Sequence, residues 1–256
     1  MKFLAPLLLL PSATFAALVE KDVDYSHGEA TLEGFHVYDD ATEGKRPGVL
    51  IIHQWTGLTD YEKSRARQLA AMGYNVFAAD IYGKGIRPQP PESGKFAGKY
   101  KGDRELYRGR LLAGLEVLKS DERTSAEHIA AIGYCFGGTG VLELARSGAD
   151  IAGVVSFHGG LSAADGMAAK PGTLKARVLV CHGADDPHVP ADEVAAFQQE
   201  MRDAGADWQF VAYGNAVHAF TQKMAGDDPS KGAAYNEAAD ERSWEDMKQF
   251  FAEILK

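Results

Sequence analysis

Short apolar runs and longer amphipathic runs alternate along most of the chain. Compact apolar runs predict strands, and segments with apolar residues at every third or fourth position predict helices. The predicted strands lie at residues 30–38, 47–53, 75–81, 129–132, 151–157, 177–181 and 208–213, and the predicted helices at 60–72, 103–120, 139–146, 191–204 and 234–255. Strands alternating with helices predict an α/β fold with a mostly parallel central sheet and helices on both faces.

Local signals refine these boundaries. Asp60 is the expected N-cap of the first helix and Gly73 its expected C-terminal stop. Residues 82–102 are rich in Gly, Pro and Lys and predict a long loop. The helix at 103–120 is expected to bury one face, formed by Leu106, Leu111, Leu112, Leu115 and Leu118.

Residues 1–16 follow another pattern. Lys2 precedes an apolar segment, and Thr14 and Ala16 occupy the small-residue positions that precede a signal cleavage site. The apolar segment is too short to span a bilayer comfortably. We therefore expect a signal peptide over residues 1–16, one α/β domain over residues 17–256, and a secreted or periplasmic protein that does not insert into the membrane; a frayed N-terminal helix is the alternative.

The formal net charge of −9 narrows the choice of partners. Loss of Lys2 with the signal peptide would make the mature chain one unit more negative. Because phosphate backbones and anionic lipids repel an acidic protein, we expect neither nucleic acid nor an anionic membrane as the main partner. The hydrophobic content of 45% is ordinary for a globular protein. We expect a monomer that acts on a small molecule.

The elements are organised around Gly133-Tyr-Cys135-Phe-Gly137, which follows one predicted strand and precedes a predicted helix. Glycine-x-nucleophile-x-glycine is typical of a sharp turn that lifts the central side chain clear of the sheet. The N–H of Phe136 would lie at a helix N-terminus, where the field favours a thiolate. Cys135 is the candidate nucleophile; a buried cysteine in a Gly-rich turn is the alternative.

Two later segments carry the partners that a cysteine nucleophile needs. Asp186 follows one predicted strand, and His218 follows the last one. Loops after parallel strands meet at one edge of the sheet, so both side chains are expected near Cys135. His218 would accept the thiol proton, and Asp186 would fix its tautomer and stabilise the imidazolium. His182 and His188 flank Asp186 and are expected to shape its loop.

The two cysteines, Cys135 and Cys181, are expected to stay unpaired. A third predicted strand separates their strands in the sequence. The same order in the sheet would put two strand spacings, roughly 9–10 Å, between them. A disulfide needs Cα atoms within about 7 Å.

These motifs resemble those of the dienelactone hydrolases, cysteine hydrolases with an α/β-hydrolase fold. The matching segments are His53-Gln-Trp-Thr-Gly57, Asp80-Ile-Tyr82, Gly133-Tyr-Cys135-Phe-Gly-Gly138, Gly183-x-x-Asp186-x-x-Val-Pro190 and His218-Ala-Phe220. The resemblance implies a triad of Cys135, Asp186 and His218, with an oxyanion hole formed by the N–H groups of Trp55 and Phe136. It also implies hydrolysis of a small ester or lactone through a thioester acyl-enzyme, with neither metal nor cofactor.

Some positions depart from that family's pattern. Gln54 stands where the characterised enzyme has a glutamate that activates the thiol, and Gln54 cannot accept a proton at neutral pH. Lys84 and Gln222 stand where it has two arginines that hold the substrate carboxylate. Lys84 lacks the bidentate fork, and Gln222 lacks the charge. The expected substrate-binding residues are Gln54, Tyr82, Lys84 and Gln222. The resemblance therefore predicts the reaction class better than it predicts a dienelactone substrate.

Residues 84–110, here called the basic segment, carry a local positive charge. They hold eight basic residues (Lys84, Arg87, Lys95, Lys99, Lys101, Arg104, Arg108 and Arg110) against three acidic ones (Glu92, Asp103 and Glu105). Such a segment is either an entrance that attracts anionic substrates or a solvated loop and helix face.

Two functional alternatives also stay open: a carboxylesterase for other substrates such as acylated glycans, and a catalytically weak binding or redox-reactive protein.

Overall fold

The computed structural model describes residues 18–256, so the signal peptide expected over residues 1–16 lies outside the described residues. The strands are β1 (Leu18–His27), β2 (Ala30–Asp39), β3 (Arg46–Ile52), β4 (Asn75–Ala79), β5 (Thr124–Tyr134), β6 (Gly153–Phe157), β7 (Arg177–Gly183) and β8 (Trp208–Tyr213). They form one sheet in the order β1-β2-β4-β3-β5-β6-β7-β8. Over residues 18–256, no helix is long and apolar enough to cross a membrane.

The sheet is mostly parallel, as predicted. Strand β2 pairs antiparallel with β1 and with β4. The pairings that connect β4, β3, β5, β6, β7 and β8 are all parallel. The carboxyl ends of these parallel strands therefore meet at one edge of the sheet, and the loops that follow them can share one site.

Strand β1 was missed by the sequence analysis, which predicted no strand before residue 30. It pairs with β2 over its whole length, from Leu18 opposite Asp39 to His27 opposite Ala30. Its residues are at most half-buried because it forms an edge of the sheet. An exposed edge strand rich in charged residues lacks the apolar pattern that reveals a buried strand, so only the pairing with β2 defines it.

The helices are α1 (Asp60–Ala71), α2 (Glu92–Gly102), α3 (Arg104–Ser120), α4 (Phe136–Arg146), α5 (Ala191–Ala204) and α6 (Glu237–Ile254). Helices α1 and α6 pack on one face of the sheet, and α2, α3, α4 and α5 lie over the other. The α/β fold class with helices on both faces is confirmed. On α3, Leu111, Leu115 and Leu118 are buried as expected, whereas Leu112 is 38% exposed.

The prediction of a continuous loop over residues 82–102 was wrong, because its second half is α2. Gly94, Gly98 and Gly102 lower the intrinsic helix propensity of this segment. Packing compensates, since Ala97 and Tyr100 are buried against the core. The helix therefore depends on tertiary contacts that local sequence statistics do not report.

The expected N-cap of α1 was also wrong by one residue. Thr59, not Asp60, is the N-cap, and its hydroxyl accepts a hydrogen bond from the Tyr61 N–H. The Glu62 carboxylate accepts the Thr59 N–H at 2.8 Å, which completes a capping box. Two of the orphan N–H groups at this helix start are thereby satisfied.

The cysteines occupy the relative positions that were predicted. Strand β6 lies between β5, which leads into Cys135, and β7, which contains Cys181. Both thiols are free. Cys181 is fully buried in the core on the α1 and α6 side, whereas Cys135 is partly exposed.

The packing of α3 on the sheet gives a testable prediction with a matched control. A Cβ at Gly114 would lie 2.7 Å from the Cβ of Ala79 in β4, whereas a Cβ at Gly98 in α2 would meet nothing within 4 Å. We expect Gly114→Ala to lower the free energy of unfolding by about 1–2 kcal/mol through overpacking. Gly98→Ala should raise it by about 0.5–1 kcal/mol. Urea denaturation measures both, and equal shifts in the two variants would contradict this packing.

Candidate active site

Cys135 lies at a strained turn between β5 and α4. Its backbone has φ 55° and ψ −110°, in the left-handed half of conformational space that a side chain disfavours. The flanking glycines permit this turn. A Cβ at Gly133 would lie 2.0 Å from the Gly137 carbonyl oxygen, and a Cβ at Gly137 would lie 2.1 Å from the Ile52 carbonyl oxygen. The turn predicted from the sequence is present, with the thiol lifted above the sheet.

The structure brings Cys135, His218 and Asp186 together. His218 Nε2 lies 3.0 Å from the Cys135 Sγ, and His218 Nδ1 lies 2.8 Å from Asp186 Oδ2. The other oxygen, Asp186 Oδ1, accepts the His188 N–H at 2.8 Å. Asp186 is only 5% exposed, whereas its neighbour Asp185 is exposed and does not contact His218. The choice of Asp186 as the acid therefore agrees with the geometry.

The three groups adjust one another's protonation. Burial acts to raise the pKa of the Cys135 thiol, but the charge and hydrogen bond of His218 outweigh it and bring the pKa below its usual value. Burial acts to lower the pKa of His218, yet the Cys135 thiolate and Asp186 raise it to about 10. Burial also works against ionised Asp186, and His218 holds the pKa of that carboxyl below its usual range. Each of these pKa shifts favours the ionised form of its group: a thiolate on Cys135, an imidazolium on His218 and a carboxylate on Asp186.

His158, at the carboxyl end of β6, was missed by the sequence analysis. Its ring lies 5.4 Å from that of His218, centre to centre. The Cys135 N–H points between two acceptors, the Phe157 carbonyl at 3.0 Å and His158 Nδ1 at 3.2 Å. The proton must then be on His158 Nε2, which donates to Thr221 Oγ1 at 2.8 Å.

This histidine stays neutral beside the imidazolium of His218. Burial, and then the charge of His218, hold the pKa of His158 well below its usual value. His158 thus ties the backbone of the candidate nucleophile to the loop that carries His218. A signal was available in the sequence, since a histidine before two glycines directly follows a predicted strand.

The loop after β3 lies beside the first turn of α4. His53 donates from Nδ1 to the Gln54 carbonyl at 2.6 Å and accepts the Ile81 N–H on Nε2 at 3.1 Å. Burial lowers the pKa of His53 to about 4, so this ring is also neutral. The Gln54 N–H donates to the fully buried carboxylate of Glu62 at 3.2 Å. Glu62, which sequence reasoning did not assign to the site, therefore holds the loop of Gln54 and Trp55 in position.

Tyr82 and Phe136 pack against this loop. The Tyr82 hydroxyl donates to the Trp55 carbonyl at 3.0 Å, and its ring centre lies 5.3 Å from that of Phe136. Phe136 is the first residue of α4 and is fully buried, stacked on Tyr107 at 4.6 Å. The Tyr107 hydroxyl donates to the Phe136 carbonyl at 2.8 Å. These contacts fix the peptide that follows the thiol.

The two other expected substrate-binding residues have different surroundings. The Lys84 ammonium lies 2.6 Å from Asp24 and 3.1 Å from Glu33, near the β1 and β2 edge of the sheet. Gln222 is 7% exposed and follows His218 in the same loop. Its side-chain nitrogen has no hydrogen-bond partner among residues 18–256.

Among residues 18–256, the remaining histidines do not form a metal site. His188 lies with its ring centre 5.2 Å from that of His218, and the ring of His182 lies 5.3 Å from that of Phe210. In the part of the chain that the structure describes, no group of three or more His, Cys, Asp or Glu side chains could hold a metal ion.

Known proteins share this architecture. Among solved structures, a dienelactone hydrolase-like promiscuous phosphotriesterase from metagenomic libraries is 39% identical, with a TM-score of 0.89 over 94% of this chain and all of its own. A dienelactone hydrolase from Anabaena variabilis shares the fold, with a TM-score of 0.68, 19% identity, and coverage of 93% of this chain and 99% of its own.

Sequence relatives agree with the structural ones. An uncharacterised protein of Caenorhabditis elegans is 38% identical over 57% of this chain and 92% of its own. A Salmonella typhimurium protein provisionally named carboxymethylenebutenolidase is 23% identical over 87% of this chain and 83% of its own. A sequence model described as the dienelactone hydrolase family matches residues 32–255. That match spans nearly all of the described residues, and the chain therefore belongs to the dienelactone hydrolase family of α/β hydrolases.

Proposed function

We propose that this hydrolase cleaves a small carboxylic ester or lactone through a thioester on Cys135. The observation that carries the proposal is the contact of 3.0 Å between the Cys135 Sγ and His218 Nε2, continued by the contact of 2.8 Å between His218 and Asp186. The thiolate is held as half of an ion pair at the start of α4, where the positive helix terminus favours it. A nucleophile that is ionised before the substrate arrives needs no separate base for its first step.

Acylation begins when the Cys135 thiolate attacks the carbonyl carbon and forms a C–S bond. The N–H groups of Phe136 and Trp55 stabilise the oxyanion, and the tetrahedral intermediate then collapses as the C–O bond to the leaving alcohol breaks. The departing alkoxide takes the proton of the His218 imidazolium. The products of this half-reaction are the thioester, the free alcohol and a neutral imidazole.

Deacylation follows from the changed charge of the site. Once Cys135 is acylated its negative charge is gone, and with it the strongest influence that raises the pKa of His218. The neutral imidazole can then accept a proton from water as the hydroxide attacks the thioester carbonyl. The C–S bond breaks, the carboxylic acid leaves and loses its proton to solvent, and the thiolate–imidazolium pair is restored. Asp186 stays ionised and orients the ring throughout.

Gln54 is compatible with this scheme. The thiolate is stabilised by His218 and by the start of α4, so a carboxylate at position 54 is not required to form it. Glu62 is the buried acid of this loop, and its oxygens are occupied by the N–H groups of Gln54 and Thr59. Glu62 therefore supports the Trp55 backbone and leaves proton transfer to His218.

Neutral phosphotriesters are a second candidate substrate class. They are favoured by the identity of 39% to a relative named as a promiscuous phosphotriesterase, which this chain matches over that relative's whole length. The same thiolate could attack phosphorus, with the phosphoryl oxygen in the place of the oxyanion. A panel that combines small esters, lactones, acetylated sugars and a phosphotriester separates these candidates by kcat/KM.

The first prediction of the mechanism concerns the nucleophile. Cys135→Ala should lower ester kcat/KM by at least about 10³-fold, because no covalent intermediate can form. Cys181→Ala is the matched control and should retain activity, since Cys181 is a buried core residue in β7. Mass spectrometry of the wild type with a slow ester should find the acyl group on the peptide that contains Cys135. Full activity of Cys135→Ala would contradict the mechanism.

The second prediction concerns pH. The thiol of Cys135 has a lowered pKa, so its alkylation by iodoacetamide should stay fast to a lower pH than that of an ordinary thiol and fall as acid protonates the thiolate. His218→Gln removes the imidazolium, which should shift the inflection upward, to or above the ordinary thiol pKa of about 8.5. Buried Cys181, whose pKa burial raises to about 12, should stay unmodified in both proteins. Superimposable pH profiles would contradict the ion pair.

Export is part of the proposal. We infer from Lys2, the apolar segment and the small residues Thr14 and Ala16 that a signal peptide is removed near residue 16. N-terminal sequencing of protein isolated from its host should find a start near Ala17. Retention of Met1 on protein recovered from the cytoplasm would contradict this localisation.

A further inference from the structure

Three separate connections meet at the site, and each contains a non-glycine residue in the left-handed region of backbone space. Cys135 has φ 55°, His158 has φ 40°, and Ala219, which directly follows His218, has φ 58°. A side chain disfavours this region, so such residues stay there only where their surroundings hold them. The loops after β6 and β8 therefore need contacts that keep them in place, as the turn of the candidate nucleophile does.

The His158 ring links the turn of the candidate nucleophile to the loop after β8. Its Nδ1 accepts the Cys135 N–H at 3.2 Å, and its Nε2 donates to the Thr221 hydroxyl at 2.8 Å. The ring is fully buried, and its centre lies 5.0 Å from that of Phe220. Because a buried polar group that loses its partner costs free energy, this ring resists a shift of either loop.

Helices α1 and α6 support the far end of this link. The Tyr61 hydroxyl lies 2.7 Å from the Thr221 hydroxyl oxygen, and Arg65 Nη2 donates to the Thr221 carbonyl at 3.3 Å. Arg65 is itself paired with Asp240 in the first turn of α6. A continuous series of polar contacts thus runs from an ion pair between two helices, through Thr221, to the His158 ring.

The two nitrogens of His158 have different tasks. Nδ1 accepts a proton donor on the peptide of Cys135, and Nε2 donates to the loop that carries His218, three residues before Thr221. The side chains of Cys135 and His218 are the groups that exchange a proton, with Sγ and Nε2 3.0 Å apart. One rigid ring therefore connects the backbone segments that carry both reacting atoms.

We propose that His158 is a positioning residue of this enzyme, whose two nitrogens set the distance between the Cys135 Sγ and His218 Nε2. Thr221 and Tyr61 are its support. The inference rests on the proposed ester hydrolysis and deepens it. His158 acts through the backbone and takes no part in proton transfer. A misplacement of reacting groups by about 1 Å can cost about 10²-fold in rate, so the effect falls on kcat rather than on KM.

Two neutral substitutions test the link at the same hydrogen bond. His158→Asn can keep an amide oxygen near the Nδ1 position, but its side chain is too short to reach Thr221. Thr221→Val removes the hydroxyl and keeps the shape of the side chain. We expect each variant to lower ester kcat about 10- to 100-fold while KM stays within about twofold of wild type. If either variant does not fold, the other still gives the result.

The double variant tests whether His158 and Thr221 act as one unit. Both substitutions break the same hydrogen bond, so the double variant should lose no more than about twofold in kcat beyond the stronger single variant. A loss equal to the product of the two single losses would mean that the residues act independently, and it would overturn the link.

Alkylation of Cys135 by iodoacetamide separates positioning from ester chemistry. Burial acts to raise the pKa of the Cys135 thiol and His218 outweighs it, so a misplaced His218 should stabilise the thiolate less. Burial keeps His158 neutral, and neither substitution changes the charge near the thiol, so a shift reports geometry. We expect the inflection of the pH profile to rise by about 0.5–1 pH unit in each variant.

An inflection at the wild-type pH in both folded variants would overturn the positioning role and leave ester hydrolysis by the wild type as proposed. A raised inflection in the variants of a protein that hydrolyses no ester would uphold the positioning role and reject the proposed function. The two hypotheses therefore fail separately.

His36→Asn is the matched control. His36 is also buried, and its Nε2 lies 2.7 Å from Oδ1 of Asn75, the first residue of β4. The contact is thus at the edge of the sheet opposite the site. This variant should also lower the midpoint of urea denaturation, yet keep the wild-type kcat and alkylation profile. An equal loss of kcat in His36→Asn would show general destabilisation and count against positioning by His158.

Discussion

The close approach of α4 to the ends of β3 and β5 is the constraint on which the site depends. Gly137 lies against the Ile52 carbonyl, and Gly133 lies against the Gly137 carbonyl, with no room for a side chain at either position. This contact compresses the strand-to-helix connection into a turn that places Cys135 at φ 55°. Strain of this kind persists only where the surroundings hold it, and here the packed core of Phe136, His53 and Tyr107 does so.

The electrostatic design follows from that turn. The thiol is lifted to the start of α4, where, among residues 18–256, only the His218 side chain lies within hydrogen-bond distance of it. The neighbouring rings of His53 and His158 are kept neutral by burial and are used as fixed hydrogen-bond partners. His218 is thus the ring placed against the Cys135 thiol, and the surrounding polar groups orient backbone without competing for the proton. In the proposed mechanism, the same ion pair that activates the thiol leaves His218 free to act as a base after acylation.

Surface cations have different partners on the two sides of the site. Toward the β1 edge, Lys84 is paired with carboxylates and contributes to the packing of the edge strands. Toward the loop after β6, the Lys101 ammonium in the last turn of α2 lies 3.9 Å from the position that a Cβ of Gly160 would occupy. Two cations of one sequence segment therefore have unlike surroundings, because Lys84 lies in the loop before α2 and Lys101 lies in the last turn of that helix.

Much of the fold and of the candidate site could be predicted from local sequence patterns. The buried strands, the helices at 60–72, 103–120 and 191–204, and the association of Cys135, Asp186 and His218 could be predicted, because hydrophobic period and position after a parallel strand are local properties. Strand β1 and helix α2 could not be predicted. Strand β1 is defined by its pairing along an exposed edge, and α2 forms because Ala97 and Tyr100 are buried, despite its three glycines.

The roles of His158 and Glu62 also needed the tertiary structure. Each accepts a backbone N–H outside its own element, His158 from Cys135 and Glu62 from Gln54. The sequence by itself determined which residues could perform the chemistry, because reactive side chains and glycine-rich turns are recognised from short stretches of sequence. Only the tertiary structure decided which charges are paired with carboxylates and which histidine rings stay neutral, because burial and distance depend on the packing of the whole sheet.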